Sequence, residues 1–230
     1  MIGGYNTTAT GLTFTLYLLA KHQEIQTRLR EEICRKHQSN DSNNYCYFDN
    51  SHCELLDRVW YESLRLYPPV VTTMTRELDD QIDKVQLSFL SSSSAGQKSL
   101  ALTRDIAIQI PIWTIHHNAT YWPEPNRFNP YRENLPIPSS SPLSSNFKNL
   151  SPAQFLPFGF GQRSCVGNIL ANSVARAVLT AILKQYKLEL LKQTEEGLDP
   201  ETGLLRLTSK NMTIKPEKVI YLRLVPVINS

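Results

Sequence analysis

The stretch from Phe158 to Gly167 reads Phe-Gly-Phe-Gly-Gln-Arg-Ser-Cys-Val-Gly and carries the densest chemical signal in the 230-residue sequence. It lies between a proline-rich segment and a periodic helical pattern, which places Cys165 at a predicted helix N-terminus. Unpaired backbone N–H groups and the positive end of the helix dipole favour thiolate over thiol there, and Arg163 adds to that bias or pairs with an anionic group on a ligand. The glycines allow a tight turn and close approach to a flat partner, and Phe158 offers an apolar wall.

The spacing Phe-x-x-Gly-x-Arg-x-Cys-x-Gly resembles the haem-ligand loop of cytochromes P450, and Phe158, Gly161, Arg163, Cys165 and Gly167 fill every specified position. The resemblance implies that Cys165 is the proximal ligand of haem b (iron protoporphyrin IX), that Arg163 contacts a haem propionate and that Phe158 packs beside the sulfur. Thiolate ligation supplies the electron push that favours O–O cleavage in this family. An ordinary buried cysteine at a helix start is the alternative interpretation, and the complete match of spacing disfavours it.

Glu62 and Arg65 stand three residues apart on a predicted helix face, where an exposed pair would contribute only about 0.2–0.5 kcal/mol. The residues that follow, Leu66-Tyr67-Pro68-Pro69, make the segment resemble the family's Glu-x-x-Arg helix. In that helix the pair is internal and is joined by an arginine from a downstream loop. The resemblance identifies Arg132 as this second arginine.

The segment from Trp122 to Glu133 resembles the loop that usually ends in Pro-Glu-Arg-Phe in the family, but it departs from the pattern at Tyr131 and Glu133. Arg132 is retained, while the phenylalanine that normally packs at the last position is replaced. Burying three charged groups is tolerable only if all of them pair and satisfy one another's hydrogen bonds. We therefore expect Glu62, Arg65 and Arg132 to form a structural triad.

The opening segment Gly3-Gly4-Tyr5-Asn6-Thr7-Thr8 resembles the oxygen-activation stretch of the family's long central helix, commonly Ala/Gly-Gly-x-Asp/Glu-Thr-Thr. Hydroxyls within a helix can bond back to the preceding turn and loosen it, which makes room for oxygen and water. The resemblance implies that Thr7 steers protons during catalysis. Asn6 replaces the acidic neighbour and cannot exchange a proton at neutral pH, so the relay is slower or uses another water path. A frayed terminus is the alternative.

Two further positions invite a functional interpretation. Arg76, after the polar run 72–75, matches a position at which many family members hold a haem propionate with a basic residue, and an exposed loop arginine is the alternative. The adjacent pair His116 and His117 suggests a metal site, but neighbouring residues on a strand point to opposite faces and cannot easily share an ion. A structural role is favoured for the two histidines.

Hydrophobic periodicity predicts a mainly α fold of the α+β type, with long helices and small β-sheets. The resemblance implies that this is the C-terminal portion of the P450 fold and that it includes the Cys haem-ligand loop. Helices are expected over 4–21, 22–38 and 51–66, the last stopped by Pro68–Pro69. A strong apolar helical pattern also runs from Gly167 to Leu191, with the helix that follows Cys165 expected at about 167–186. The stretch 78–115 is strand-like around a serine loop at 91–94, and 118–152 is irregular. A β-hairpin is expected from Leu204–Leu207 and Val219–Val225. The inner face of the last helix is predicted to consist of Ile169, Leu170, Val174, Ala177, Val178, Ala181 and Ile182.

Composition excludes several functional classes. With 24 basic and 21 acidic residues the net charge is only +3, so no basic groove for nucleic acid is indicated. The first twenty residues carry no charge, but polar residues interrupt them and no basic segment precedes them, which favours a buried helix over a targeting segment. The four cysteines, at positions 34, 46, 53 and 165, are irregularly spaced, which favours a reduced setting. A secreted disulfide protein, suggested by sequons such as Asn118-Ala119-Thr120, is the weaker alternative.

The resemblance implies a haem-thiolate monooxygenase that inserts one oxygen atom of O2 into a small apolar organic substrate, with electrons from a flavoprotein reductase or a ferredoxin-type donor. It covers residues 1–230 as the C-terminal part of a single P450 domain, beginning within the central oxygen-activation helix, with the N-terminal half absent. Membrane association, at the cytosolic face of the endoplasmic reticulum, is expected only through that missing part, because this chain lacks an anchor. The alternative is a non-catalytic fragment that retains the motifs without a working haem and substrate pocket.

Overall fold

The computed structural model describes residues 2–38, 53–77, 84–90, 97–103, 106–136, 152–210 and 212–227. The chain divides into two compact units, one made of Met1–Val71 with Ile112–Ser230 and the other of Thr72–Pro111. None of the helices in these described ranges is long and apolar enough to cross a bilayer. The predicted mainly α fold class with small β-sheets is confirmed, and each of the sheets in the described residues is antiparallel.

Three long helices open the larger unit where apolar periodicity predicted them. They are α1 (Ile2–Lys21), α2 (Gln23–Gln38) and α3 (Glu54–Leu66). Only His22 separates the first two, so the chain bends between them with a minimal connection. Helix α3 ends at Leu66, with Tyr67 as its C-cap before Pro68, as expected, because proline cannot continue the backbone hydrogen-bond ladder.

The later helices are α4 (Ile112–His116), α5 (Asn168–Gln185) and α6 (Lys192–Glu195), with short 3-10 turns at Pro152–Gln154 and Gly161–Arg163. Helix α5 confirms the helix expected over about 167–186, while the rest of the apolar pattern forms a strand. The two adjacent histidines lie at the end of α4 and in the turn after it, not on a strand. Residues 118–136 run through turns, and residues 137–151 of the predicted irregular segment lie outside the described ranges.

The strands pair differently from the predicted hairpin. In the smaller unit, β1 (Lys84–Leu90) pairs with β2 (Gln97–Thr103); in the larger unit β3 (Tyr186–Leu190) pairs with β6 (Leu222–Pro226), and β4 (Leu207–Lys210) pairs with β5 (Thr213–Pro216). All three pairs are antiparallel. The predicted hairpin between the segments at 204–207 and 219–225 is therefore wrong. Alternation identifies a strand, but its partner depends on which neighbouring edge is available.

The smaller unit also contains Arg76, which forms a backbone bridge with Ile108 through two hydrogen bonds of 2.8 Å. The alternating isoleucines at 106, 108 and 110 were expected on a strand, and the structure gives them this single-residue bridge instead of a strand. The predicted serine loop at 91–94 lies outside the described residues.

The main core forms where α1 packs against α2, α3, α5 and β3. Its fully buried members include Phe14 and Tyr17 of α1, with Leu29 of α2 and Leu179 of α5. The face that α5 turns toward this core is not the predicted one. Its buried residues are Asn172, Ala175, Leu179 and Leu183, which follow one another at helical spacing.

The predicted inner face of α5 is wrong because its leading residues lie outside. Ile169 is 82% exposed and Leu170 is 69% exposed, and Val174 is also exposed. Apolar residues occur on more than one side of this helix, so periodicity alone does not decide which side is covered. The exposed apolar residues begin directly after Cys165.

A second, smaller cluster supports the segment that precedes Cys165. We call it the aromatic cluster; its buried members are Trp60, Tyr61, Leu64, Trp122, Leu135, Phe155 and Ala175. Phe155 contacts the rings of Tyr61 and Trp122, with centroids 5.9 Å apart in both pairs. Helix α3 therefore contributes to both clusters and links the main core to the Cys165 region.

Candidate functional site

The chain from Phe158 to Cys165 closes into a loop through backbone hydrogen bonds. The N–H of Cys165 donates to the carbonyl of Phe158 at 2.8 Å, and the N–H of Ser164 donates to the carbonyl of Gly161 at 3.0 Å. Gly161 and Gly159 adopt φ angles of 74° and 72°, a left-handed conformation that side chains disfavour. The loop therefore needs glycine at these two positions for its backbone path.

Gly167 differs from the two loop glycines. Its φ is −87°, and a Cβ built there would lie 3.8 Å from the sulfur of Cys165, an ordinary van der Waals distance. Neither the backbone conformation nor the described neighbours require a glycine at this position.

The Cys165 side chain lies exposed at the start of α5 and is a free thiol. Arg163 is exposed in the same loop, and Val166 is fully exposed. Val166 precedes α5, and Leu170 and Val174, one turn apart on α5, are exposed as well, so exposed apolar side chains follow the thiol along the chain. We call these three residues the apolar strip. A thiol thus stands beside uncovered apolar surface and near a cation.

The chain segment that precedes the loop is held by packing and by a hydrogen bond. Phe158 is half-buried against the aromatic cluster, and Leu156 is buried. The N–H of Leu156 donates to Nε2 of His116 at 2.9 Å, so the neutral imidazole carries its proton on Nδ1. Burial, with smaller contributions from Arg65 and His117, lowers the pKa of His116 to about 3. A neutral histidine therefore anchors the chain ahead of the loop.

Glu62, Arg65 and Arg132 meet in the interior. Glu62 and Arg65 are fully buried and Arg132 nearly so. Arg65 donates to both carboxylate oxygens of Glu62 at 2.8 and 3.0 Å, and Arg132 donates to one of them at 2.9 Å. The same oxygen also accepts the backbone N–H of Asn129 at 3.0 Å. The two arginines share one carboxylate, which satisfies the pairing that buried charges require.

The remaining guanidinium N–H groups bind backbone carbonyls of the irregular segment that follows α4. Arg65 donates to the carbonyls of His116, Pro125 and Arg127, and Arg132 donates to those of Pro123, Glu124 and Arg127. Such carbonyls have no strand or helix partner, so the triad supplies the hydrogen bonds that a loop cannot make for itself. The triad thus fixes the path of residues 116–132.

The sequence profile of the Cytochrome P450 family matches residues 1–216. The chain belongs to the cytochrome P450 family. It is 30% identical to Cytochrome P450 3A31 of Mesocricetus auratus over 228 residues, which cover 98% of this chain and 38% of the relative. It is also 29% identical to Cytochrome P450 4F2 of Homo sapiens over 226 residues, covering 98% and 37%, and 31% identical to Cytochrome P450 9e2 of Blattella germanica over 191 residues, covering 83% and 32%. The chain spans less than two fifths of the length of these relatives.

Membership of the P450 family implies a haem cofactor, and the residues around Cys165 fit one. A haem offers a metal that accepts a sulfur ligand, a flat apolar face and carboxylates at its edge. The chain presents an exposed thiol, the apolar strip and the exposed guanidinium of Arg163 in the same place. Gly167 lies beside the sulfur: a Cβ built there would be 3.8 Å from it.

The remaining predicted residues of this P450 chain lie elsewhere. Asn6 is exposed and Thr7 half-buried near the start of α1, a helix that packs against both α3 and α5. Helix α1 approaches α3 closely at Gly11, where an added Cβ would lie 2.9 Å from the Trp60 ring. Arg76 belongs to the smaller unit.

Sequence reasoning missed the polar contacts that tie α3 to α5. Arg176 binds both carboxylate oxygens of buried Asp57 at 2.6 and 3.1 Å, and Asn172 lies among aromatic residues of α3. The sequence offered one signal. Asn172 and Arg176 are four residues apart and so lie on one face of α5, which indicates that this face carries polar side chains. Their partners are more than a hundred positions away in the sequence and could not be inferred from it.

Proposed function

We propose that this chain supplies the thiolate side of a haem-thiolate monooxygenase that inserts one oxygen atom of O2 into a small apolar organic substrate. The other oxygen atom leaves as water, and the electrons come from a flavoprotein reductase or a ferredoxin-type donor. The observation that carries the proposal is the exposed thiol of Cys165, held by a closed glycine-dependent loop beside the uncovered apolar strip.

The residues of the loop take distinct roles toward haem b. The sulfur of Cys165 ligates the iron, the guanidinium of Arg163 pairs with a propionate, and Phe158 covers the sulfur on the apolar side. Gly161 maintains the loop and Gly167 allows close approach, while Arg76 offers a second cation for a propionate. When bound, the haem supplies the activation of O2 that the side chains cannot perform.

In this proposal the residues at the start of α1 deliver protons. The hydroxyl of Thr7 accepts and donates hydrogen bonds and can pass a proton from water, whereas the Asn6 amide cannot exchange one at neutral pH. Glu62, Arg65 and Arg132 take no part in the reaction and hold the scaffold. In this proposal residues 1–230 are the C-terminal part of a single P450 domain at the cytosolic face of the endoplasmic reticulum.

A second candidate is a non-catalytic P450 fragment. It is favoured by the apolar residues after Cys165, which have no cover in the part of the chain that the structure describes. The two candidates differ in whether a stable thiolate-ligated haem forms.

The deciding experiment uses the protein expressed from its native transcript, with whatever coding sequence precedes the codon for Met1. Hemin is added, the sample is reduced under carbon monoxide, and the red-shifted Soret band of thiolate-ligated haem is recorded. We expect the band in the wild-type protein and its loss in Cys165→Ser, with stability changed by less than about 0.5 kcal/mol because the side chain is exposed.

Cys53→Ser is the matched control. Burial raises the pKa of Cys53 to about 12, so this thiol stays protonated at neutral pH and cannot supply a thiolate. The control should keep the band. A wild-type protein without the band supports the fragment, and a band that survives in Cys165→Ser shows that another group is the ligand.

A further inference from the structure

Helix α5 is held near Cys165 by polar contacts rather than by an apolar face. Of its residues, the first that is buried is Asn172, and the fully buried leucines come later, at 179 and 183. In the first turn of the helix, Ile169 and Leu170 are exposed. The direction in which α5 starts, and with it the position of Cys165, therefore depends on what Asn172 contacts.

The side-chain amide of Asn172 both accepts and donates hydrogen bonds. Its Oδ1 accepts the indole N–H of Trp60 at 2.8 Å, and its Nδ2 donates to the hydroxyl of Tyr61 at 3.0 Å and to Oδ1 of Asn168 at 2.8 Å. Trp60 and Tyr61 are buried residues of α3. Burial raises the pKa of Tyr61 to about 12, so the hydroxyl stays neutral and keeps its hydrogen-bonding capacity.

Asn168 extends this chain of contacts to the ligand residue. It is the first residue of α5, and its N–H donates to the carbonyl of Cys165 at 3.4 Å. A continuous path thus runs from α3 through Asn172 and Asn168 to the backbone of Cys165. Because hydrogen bonds are directional, they set the rotation of α5 about its axis, which an apolar contact would fix less tightly.

The second contact between the two helices gives the direction of this arrangement. Asp57, one turn before Tyr61 on α3, pairs with Arg176, one turn after Asn172 on α5. The two helices are therefore antiparallel. From Asp57 to Tyr61 along α3, the partners on α5 run from Arg176 back to Asn172, toward Cys165. The same α3 carries Glu62 and Arg65, so the helix that positions the thiol is itself fixed by the triad.

We propose that Asn172 is a positioning residue for Cys165: its amide ties the start of α5 to Trp60 and Tyr61 and so fixes where the sulfur lies. The role matters for haem ligation and in that respect rests on the proposed function. The positional claim concerns this chain's own residues and is testable without haem.

The test compares Asn172→Leu, which keeps a similar volume and removes the amide, with wild-type protein expressed from the native transcript. Amide hydrogen exchange of residues 165–171 is followed by mass spectrometry in haem-free protein. We expect exchange to speed up about tenfold, because the variant loses hydrogen bonds and leaves the Trp60 N–H buried without an acceptor. In the hemin-loaded protein, the fraction with the thiolate-type Soret band should fall.

Two controls separate positioning from general destabilisation. Leu183→Ala lowers global stability from the far half of α5 and should leave exchange at 165–171 unchanged under native conditions. Ser173→Ala removes a hydrogen bond to the Ile169 carbonyl on the neighbouring side of the same turn and should change neither exchange nor the thiolate fraction.

A milder variant keeps the test decisive if Asn172→Leu does not fold. Tyr61→Phe removes only the hydroxyl that Asn172 contacts, and it should speed exchange at 165–171 in the same direction but by a smaller factor. In the Asn172→Leu background the same change should add nothing, since its partner is gone.

Unchanged exchange in both Asn172→Leu and Tyr61→Phe would overturn the proposal, as would an equal effect from Leu183→Ala. These outcomes are independent of the proposed function. If wild-type protein binds no haem through a thiolate, the exchange experiment still decides whether Asn172 positions Cys165.

Discussion

The Glu62–Arg65–Arg132 triad and the Cys165 loop are built in opposite ways. In the triad the charged groups are buried, and the arginines also bind the carbonyls of the surrounding loop. In the Cys165 loop the backbone hydrogen bonds are closed, but the side chains of Arg163, Cys165 and Val166 face outward.

The difference separates a motif whose charged groups pair with one another in the interior from a motif whose side chains face outward. Groups that satisfy one another in the interior stabilise the fold and have nothing left to offer a ligand. Groups that the chain positions without pairing are available to a partner, and the exposed thiol with its apolar surroundings is of this kind. Substitutions in the triad should therefore change stability, and those in the loop should change binding.

The largest effect is expected from Glu62→Gln. The variant keeps the volume but leaves two buried guanidinium groups without a carboxylate, and we expect a loss of about 3–5 kcal/mol in the free energy of unfolding. Urea unfolding of variant and wild type measures it.

Glu124→Gln makes the same chemical change in the pair with Arg127, whose side chains are both exposed. We expect less than about 0.5 kcal/mol there, because an exposed pair is screened by water. Equal losses in the two variants would contradict the view that burial, rather than charge pairing as such, gives the triad its role.

A smaller loss of stability is expected on acidification because of His116, whose backbone carbonyl accepts a hydrogen bond from Arg65 of the triad. Its pKa in the folded protein is about 3, below the ordinary value of 6.5, because burial disfavours the charged form. Between these values the unfolded chain takes up a proton that the folded chain does not. The stability contributed by neutral His116 is thus fully present above pH 6.5 and falls by about 1.4 kcal/mol per pH unit on acidification toward pH 3.

His116→Gln checks this dependence, since an amide oxygen can still accept the N–H of Leu156. Unfolding free energies are compared between pH 6.5 and 5, where most carboxylates remain ionised. The variant should lose less stability than wild type over this window. Parallel curves would mean that His116 is not kept neutral by the fold.

The loop and the Glu62–Arg65 pair of the triad were readable from sequence because their defining residues are close together along the chain. Helices α1 to α3 followed from local periodicity, and the Pro68–Pro69 stop followed from proline chemistry. Arg132 was identified by resemblance, 70 positions from Glu62, and spacing alone could not have paired them.

The failures share a physical cause. The covered face of α5 and the partners of β3 and β4 depend on which elements pack nearby, and a one-dimensional pattern does not contain that information. Asn172 was unpredictable for the same reason, because its partner Trp60 is 112 positions away and the contact is polar. Local sequence patterns thus locate the helices, the strands and the residues of the loop. Tertiary packing decides where the loop and its side chains lie.

The smallest effect, and the one that sharpens the comparison most, is expected from Gly161→Ala in the loop. No heavy atom lies within 4 Å of a Cβ built there, so the cost is not a clash; it arises from the φ of 74°, which disfavours a side chain by about 1 kcal/mol. Faster exchange of the Ser164 and Cys165 amides, with a loss of no more than about 1 kcal/mol in the free energy of unfolding in urea, would locate the strain in the loop. Gly4→Ala is the matched control, because it also meets no neighbour but lies in α1 without a left-handed φ, where alanine should be neutral or stabilising. If both variants behaved alike, the left-handed turn would not be what holds Cys165 in its loop.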